Sequence, residues 1–249
     1  MLVDIQGGSD DDTIQNFSSW STIDGGEGGD KIFNYYASNV VINGGDDQDE
    51  IYNYGEHVTI NGGNDLDVID NNASNVYING GDYDDVIYSG VNLIYNTING
   101  GDGDDRIHNY SSWSTISGGN GIDTIESESV ASYVWINGGN DSITNYSANS
   151  TINSGSGDII DNYGNNTTII AYKDQGNVIL RNEGQNVTVY FPNATIDDVL
   201  RVSDTSIDFN YRDRLTMTYF TGVVQVSTFR FSNGDEYVFN DSSSKLVRK

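Results

Sequence analysis

The sequence predicts an all-β fold: a parallel solenoid of about 18 residues per coil, closed by a C-terminal β cap. Three observations predict it. Gly-Gly pairs begin at Gly7, Gly25, Gly44, Gly62, Gly80, Gly100, Gly118 and Gly138, spaced 18 to 20 residues apart, and a degenerate ninth copy starts at Ser154. Isoleucines recur in step with those pairs, two per unit. Acidic residues follow each pair, so that 27 of the 37 Asp and Glu lie in residues 1–170 against only two bases, Lys31 and Arg106. One such unit cannot bury its apolar side chains alone, but a stack of them can.

The most regular unit runs from Gly100 to Ser117. It divides into a six-residue acidic turn (100–105), a three-residue strand (106–108), a six-residue polar turn (109–114) and a second three-residue strand (115–117). Each strand has the form x-Ile-x. Successive strand side chains face opposite ways, so the central Ile points inward. The inward pairs are Ile14 and Ile23, Ile32 and Ile42, Ile51 and Ile60, Ile69 and Ile78, Ile87 and Ile98, Ile107 and Ile116, Ile125 and Ile136, and Ile143 and Ile152. Stacked at roughly 4.8 Å per coil, they form one continuous core between two parallel sheets. The extra residues of longer units fall in the second turn (34–40, 89–96 and 127–134), which preserves the Ile phase. A helical reading fails, because each Gly inside a helix costs about 1 kcal/mol.

The acidic turns read GGSDDD (7–12), GGEGGD (25–30), GGDDQD (44–49), GGNDLD (62–67), GGDYDD (80–85), GGDGDD (100–105) and GGNGID (118–123), followed by a shortened GGND (138–141) and SGSGD (154–158). The sixth position is Asp in all seven full copies: Asp12, Asp30, Asp49, Asp67, Asp85, Asp105 and Asp123. Residues 1–170 thus carry a net charge of −25, and self-repulsion opposes their compaction unless a cation neutralises them. Gly-rich turns can aim carbonyl oxygens inward, and one Asp per turn adds charge. Oxygen-only ligation of variable geometry suits calcium; magnesium wants stricter octahedra, and zinc wants His or Cys.

These turns, each with an Ile two positions after its Asp, resemble the RTX, or haemolysin-type, calcium-binding repeats, over about residues 5–161. The resemblance implies a parallel β-roll, a right-handed β-solenoid with calcium in its turns, belonging to a protein exported by type I secretion machinery and folded by calcium outside the cell. It makes Asp12, Asp30, Asp49, Asp67, Asp85, Asp105 and Asp123 side-chain ligands, with Asp141 and Asp158 as their equivalents in the short copies. It assigns the rest of the shell to backbone oxygens of the turns, bringing in Gly25, Glu27, Gly44, Asp46, Gly62, Asn64, Gly80, Asp82, Gly100, Asp102, Gly118 and Asn120. In the family the motif often repeats every nine residues. Here only alternate turns carry it, so a single calcium column on one edge is expected, with roughly six to eight ions.

The opposite turns begin with Asn16, Asn34, Asn53, Asn71, Asn109, Asn145 and Asn162, whose amides can hydrogen-bond along the stack. Aromatics follow them (Phe17, Tyr35, Tyr54, Tyr110, Tyr146 and Tyr163), with Trp20 and Trp113 later in the turn. Those rings either stack on one another over the edge of the core or form a strip that binds a glycan or a surface partner.

The acidic motif stops near Ala171. Residues 1–170 are therefore read as the calcium-binding repeats, 171–191 as metal-free terminal coils, and 192–249 as the β-rich cap. Strands are expected at 199–202, 215–220, 223–231 and 236–239, with Asn233-Gly234 turning a hairpin. The resemblance places export information in this last region. The first residues already read as a repeat strand, so the chain is expected to be the C-terminal part of a larger protein.

The net charge of −26 argues against nucleic acid as a partner, the absence of Cys excludes disulfides and thiol zinc sites, and no apolar run is long enough for a helix to span a membrane. No signal peptide is read. His57 and His108 are expected to face solvent, and nothing singles out a catalytic pair, so the chain is not read as an enzyme. The expected function is a calcium-binding roll of a secreted protein. An adhesin or glycan-binding module using the aromatic edge, and an accessory module of an upstream secreted enzyme or toxin, are the alternatives.

Overall fold

Strand register follows the isoleucines throughout. The computed structural model describes residues 3–128, 135–137, 139–174, 176–199, 201–202, 206–208, 214–218, 228–240 and 245–249. The chain alternates between two sheets. The first stacks Val3–Gly8, Ser21–Glu27, Val41–Asp46, Thr59–Gly63, Tyr77–Asp82, Thr97–Asp102, Thr115–Asn120, Trp135–Asn137, Thr151–Asn153, Thr168–Ile170 and Thr188–Phe191, all parallel. The second stacks Thr13–Asn16, Lys31–Asn34, Glu50–Asn53, Val68–Asn71, Val86–Ser89, Arg106–Asn109, Thr124–Ser127, Ser142–Asn145, Ile159–Asn162 and Val178–Asn182. Ile23 aligns with Ile42, Ile42 with Ile60 and Ile60 with Ile78; across the core Ile32 aligns with Ile51 and Ile51 with Ile69. The predicted inward isoleucines are buried, apart from Ile136, whose side chain lies outside the described residues and whose backbone keeps the register with Ile116 and Ile152.

The first-sheet strands are longer than the sequence predicts. Val41–Asp46 runs through Gly44 and Gly45 instead of stopping at Asn43. Two physical constraints explain the pair. A methyl carbon on Gly44 would overlap Asp49 Oδ2 and the carbonyl oxygen of Gly62 in the next coil. Gly45 has φ +136°, and a methyl carbon there would meet the carbonyl oxygen of Gly26 in the preceding coil. The first glycine keeps the interior open and the second lets neighbouring backbones approach.

The amide ladder expected on the second edge is present. Asn16 Nδ2 donates to Asn34 Oδ1 (2.9 Å), Asn34 to Asn53 (2.8 Å) and Asn53 to Asn71 (2.8 Å); further along, Asn145 donates to Asn162 and Asn162 to Asn182, both at 2.7 Å. Ser89 and Ser127 interrupt it, and their hydroxyls pair with those of Ser111 and Ser147. Each ladder Asn is buried and also binds its own turn, as Asn53 Nδ2 does at Gly55 O (2.9 Å). Asn53→Ala should therefore lower unfolding stability by about 1–3 kcal/mol, because it strands buried groups on Asn34, Asn71 and Gly55. Urea denaturation in saturating calcium checks this.

Small apolar residues close this edge of the core: Ala37, Val40, Val58, Ala73 and Val76 are buried. The aromatics lie outside them. Phe17 stacks on Tyr35 (centroids 5.0 Å), Tyr35 on Tyr54 (6.1 Å) and Tyr146 on Tyr163 (4.8 Å), with ring planes within 18° of parallel. Each gives part of its face to its neighbour, while Phe17, Tyr146, Trp20 and Trp113 stay exposed.

At the C-terminal end, Thr228–Phe231 continues the first sheet in parallel on Thr188–Phe191, and Arg214–Thr218 continues the second on Val178–Asn182. The sheets then turn antiparallel through Glu236–Asn240 and Lys245–Arg248, and through Ser206–Asp208 and Arg201–Val202. The Asn-Gly hairpin is present, with Gly234 at φ +84° and its N–H on Phe231 O (2.9 Å). Phe191, Phe229 and Phe231 are fully buried, and Phe229 continues the row of Ile169 and Val189. The strands at 206–208 and 245–248 and a short 3-10 turn, Ile196–Asp198, were not expected from sequence. Of the expected strands at 199–202, 215–220 and 223–231, residues 200, 219–220 and 223–227 fall outside the described residues. Among the described residues no helix is long and apolar enough to cross a membrane.

Candidate functional site

The sixth-position Asp of each acidic turn lies two residues before an inward Ile, so it shares that side chain's parity and enters the interior. Asp30, Asp49, Asp67, Asp85, Asp105, Asp123, Asp141 and Asp158 are all buried, whereas Asp12, in the first coil, is half-buried. They form a file along one edge, opposite the amide ladder. Each is held by the turn before it. Asp12 N–H donates to Asp30 Oδ1 (2.8 Å), Asp30 to Asp49 (2.7 Å), Asp49 to Asp67, Asp67 to Asp85 and Asp85 to Asp105 (each 2.8 Å), Asp105 to Asp123 (2.9 Å) and Asp123 to Asp141 (3.0 Å).

The other carboxylate oxygen is left over. Oδ2 of Asp30, Asp49, Asp67, Asp85, Asp105 and Asp123 is buried without a hydrogen-bond partner. In five of these turns a methyl carbon on the first glycine would overlap both this Oδ2 and the next coil's first-glycine carbonyl oxygen: Gly25 with Gly44, Gly44 with Gly62, Gly62 with Gly80, Gly80 with Gly100 and Gly100 with Gly118. Two acceptors thus converge on each cradle with no donor between them.

Burial pushes these carboxyls up, to about 7 at Asp49, about 8 at Asp67, about 7 at Asp85 and about 6 at Asp105, Asp123 and Asp141; Asp30 also rises. The N–H bond to each lowers it, but less than burial raises it, and neighbouring carboxylates add to the rise. Such a column is stable as neutral acids or beside cations. Among the described residues no three carboxylate or imidazole side chains converge on one point. A metal here would draw on one inward carboxylate and main-chain oxygens. That donor set is all oxygen, anionic and free of competing donors, and it fits calcium.

The third-position residues point the other way. Glu27, Asp46, Asn64, Asp82, Asp102 and Asn120 are exposed, because the positive φ at the second glycine reverses the strand's alternation just before them. They form an outer row in which Asn64 Nδ2 donates to Asp46 Oδ1 (2.5 Å) and Asn120 to Asp102 (2.6 Å). Asp82, Asp102 and Asn120, with Asn79 and Asn99, wall an open groove floored by Gly81, Gly101 and Gly119. The fold brings the first glycines and sixth-position aspartates together and separates both from the third-position side chains. His57 is exposed as expected. His108 is more covered than expected, stacked on Tyr88 and 3.1 Å from Glu126. No protein-family model matches the chain, and a search of curated proteins gives no match either.

Proposed function

We propose that this chain is a calcium-dependent β-roll of the haemolysin-type (RTX) kind, a module of a secreted protein that folds when it meets calcium outside the cell. One observation carries this: six buried Oδ2 atoms, one coil apart, have no proton donor, and five of them face a carbonyl oxygen of the next coil. Burying an ionised carboxylate without a partner costs several kcal/mol, and six in file repel one another as well.

The residues that would hold calcium are Asp12, Asp30, Asp49, Asp67, Asp85, Asp105 and Asp123, together with main-chain oxygens of the first glycines. Bound calcium supplies the positive charge that this column lacks. The chain's own part is preorganisation. The N–H bond to each Oδ1 fixes the carboxylate, and the paired glycines keep the space beside Oδ2 open. At low calcium the ionised column disfavours stacking. At millimolar calcium, sites with Kd of about 10⁻⁴–10⁻³ M convert binding into folding free energy by mass action. Export through type I machinery, unfolded on the low-calcium side, is part of the same proposal.

Circular dichroism at pH 8 tests it. The β signal should be weak in EGTA and should rise cooperatively with millimolar calcium. An equally strong β signal and an unchanged melting temperature in EGTA would remove the proposal.

A further inference from the structure

We propose, resting on the calcium reading above, that the two short turns ending at Asp141 and Asp158 hold no metal, and that main-chain N–H groups occupy the place the cation takes elsewhere. The repeat pattern groups these two carboxylates with the other seven. The geometry separates them. In the full turns one carboxylate oxygen is bonded and the other has no donor. In the short turns both oxygens are used. Asp141 Oδ1 accepts Asp123 N–H (3.0 Å) and its Oδ2 accepts Gly139 N–H. Asp158 Oδ1 accepts the N–H groups of Asn140 (2.7 Å) and Asp141 (2.8 Å), and its Oδ2 accepts Gly155 N–H (2.6 Å).

Chain length is the cause. A full turn places four residues between its first glycine and its Asp, as from Gly62 to Asp67, whereas GGND at 138–141 places two. The shorter path bends the turn's own N–H back onto Oδ2. The N–H occupies the position a cation would take beside Oδ2 and turns the positive end of its dipole toward it, which opposes a cation there. The cation column therefore ends at Asp123, and the coils beyond it are closed by hydrogen bonds alone: the Asp–N–H bonds on one edge and the Asn145–Asn162–Asn182 amides on the other.

The test counts bound calcium on the full chain by native mass spectrometry and equilibrium dialysis, for the parent, Asp67→Asn, Asp141→Asn and Asp158→Asn. Asp67→Asn should lower the count. Asp141→Asn and Asp158→Asn should keep the parent count while lowering the melting temperature in calcium. A lost ion in either of the latter overturns the inference. As a second arm, residues 138–141 are replaced by the six-residue turn of 118–123, which should add an ion; an unchanged count also overturns it. A parent that binds no calcium fails the functional proposal instead, so the two failures are distinguishable.

Discussion

Asp67→Asn combined with Asp85→Asn should destabilise the protein in calcium and stabilise it in chelator at pH 8. Both carboxylates are buried, and their Oδ2 atoms face the carbonyl oxygens of Gly80 and Gly100. An amide keeps an acceptor for the N–H of Asp49 or Asp67 and offers an N–H to the facing carbonyl. Without calcium, each exchange removes a buried carboxyl whose Oδ2 has no donor and offers an N–H to the facing carbonyl, a gain of about 1–3 kcal/mol per site. With calcium a hundredfold above Kd, each lost site forfeits about 2.7 kcal/mol of linkage. Urea unfolding in 10 mM calcium reads the first sign, and the β signal in EGTA, which should be stronger in the double variant than in the parent, reads the second. A change of the same sign in both conditions would show that the column is ordinary packing.

The pH dependence of stability should also reverse with calcium. In chelator, the folded-state carboxyls are raised to about 7 at Asp49, about 8 at Asp67 and about 6 at Asp105 and Asp123, against an unfolded value of about 3.9. Between those limits the native state binds more protons than the unfolded chain. Stability is therefore fully present below about pH 4 and is lost as pH rises to about 8, with a slope of about 1.4 kcal/mol per pH unit for each excess proton. A carboxylate free in water titrates near pH 4, so a fall between pH 6 and 8 reports the buried column. In saturating calcium the carboxylates are ionised and protons compete with the cation, so stability should rise over the same interval. Melting temperatures at pH 5, 6.5 and 8 in each condition decide it. Parallel curves would mean that the metal and the proton do not share these oxygens.

The fold was legible because the repeat imposes it. Ile51, Ile69 and Ile87 could not occupy equivalent positions in successive units without stacking, and parallel register followed from a period that never breaks phase. The amide ladder was legible for the same reason: Asn53 lies two residues after Ile51, on the inward parity. The inward course of Asp49 carries the same signal, two residues before Ile51, and strand alternation alone would have found it.

What the sequence by itself determined about this protein was periodicity: which residues recur, in which phase, and hence two sheets with a carboxylate column on one edge and an amide column on the other. Tertiary structure alone decided which atoms of those columns have partners. Asp67 and Asp141 are the same residue type in the same repeat slot, yet one keeps an orphaned oxygen and the other has both bonded. Asp46 and Asp49 belong to one turn, yet one faces solvent and the other the interior. The physical reason is that hydrogen-bond satisfaction depends on where a neighbouring coil's backbone arrives. A two-residue deletion or a single positive φ changes that position while leaving the repeat pattern intact.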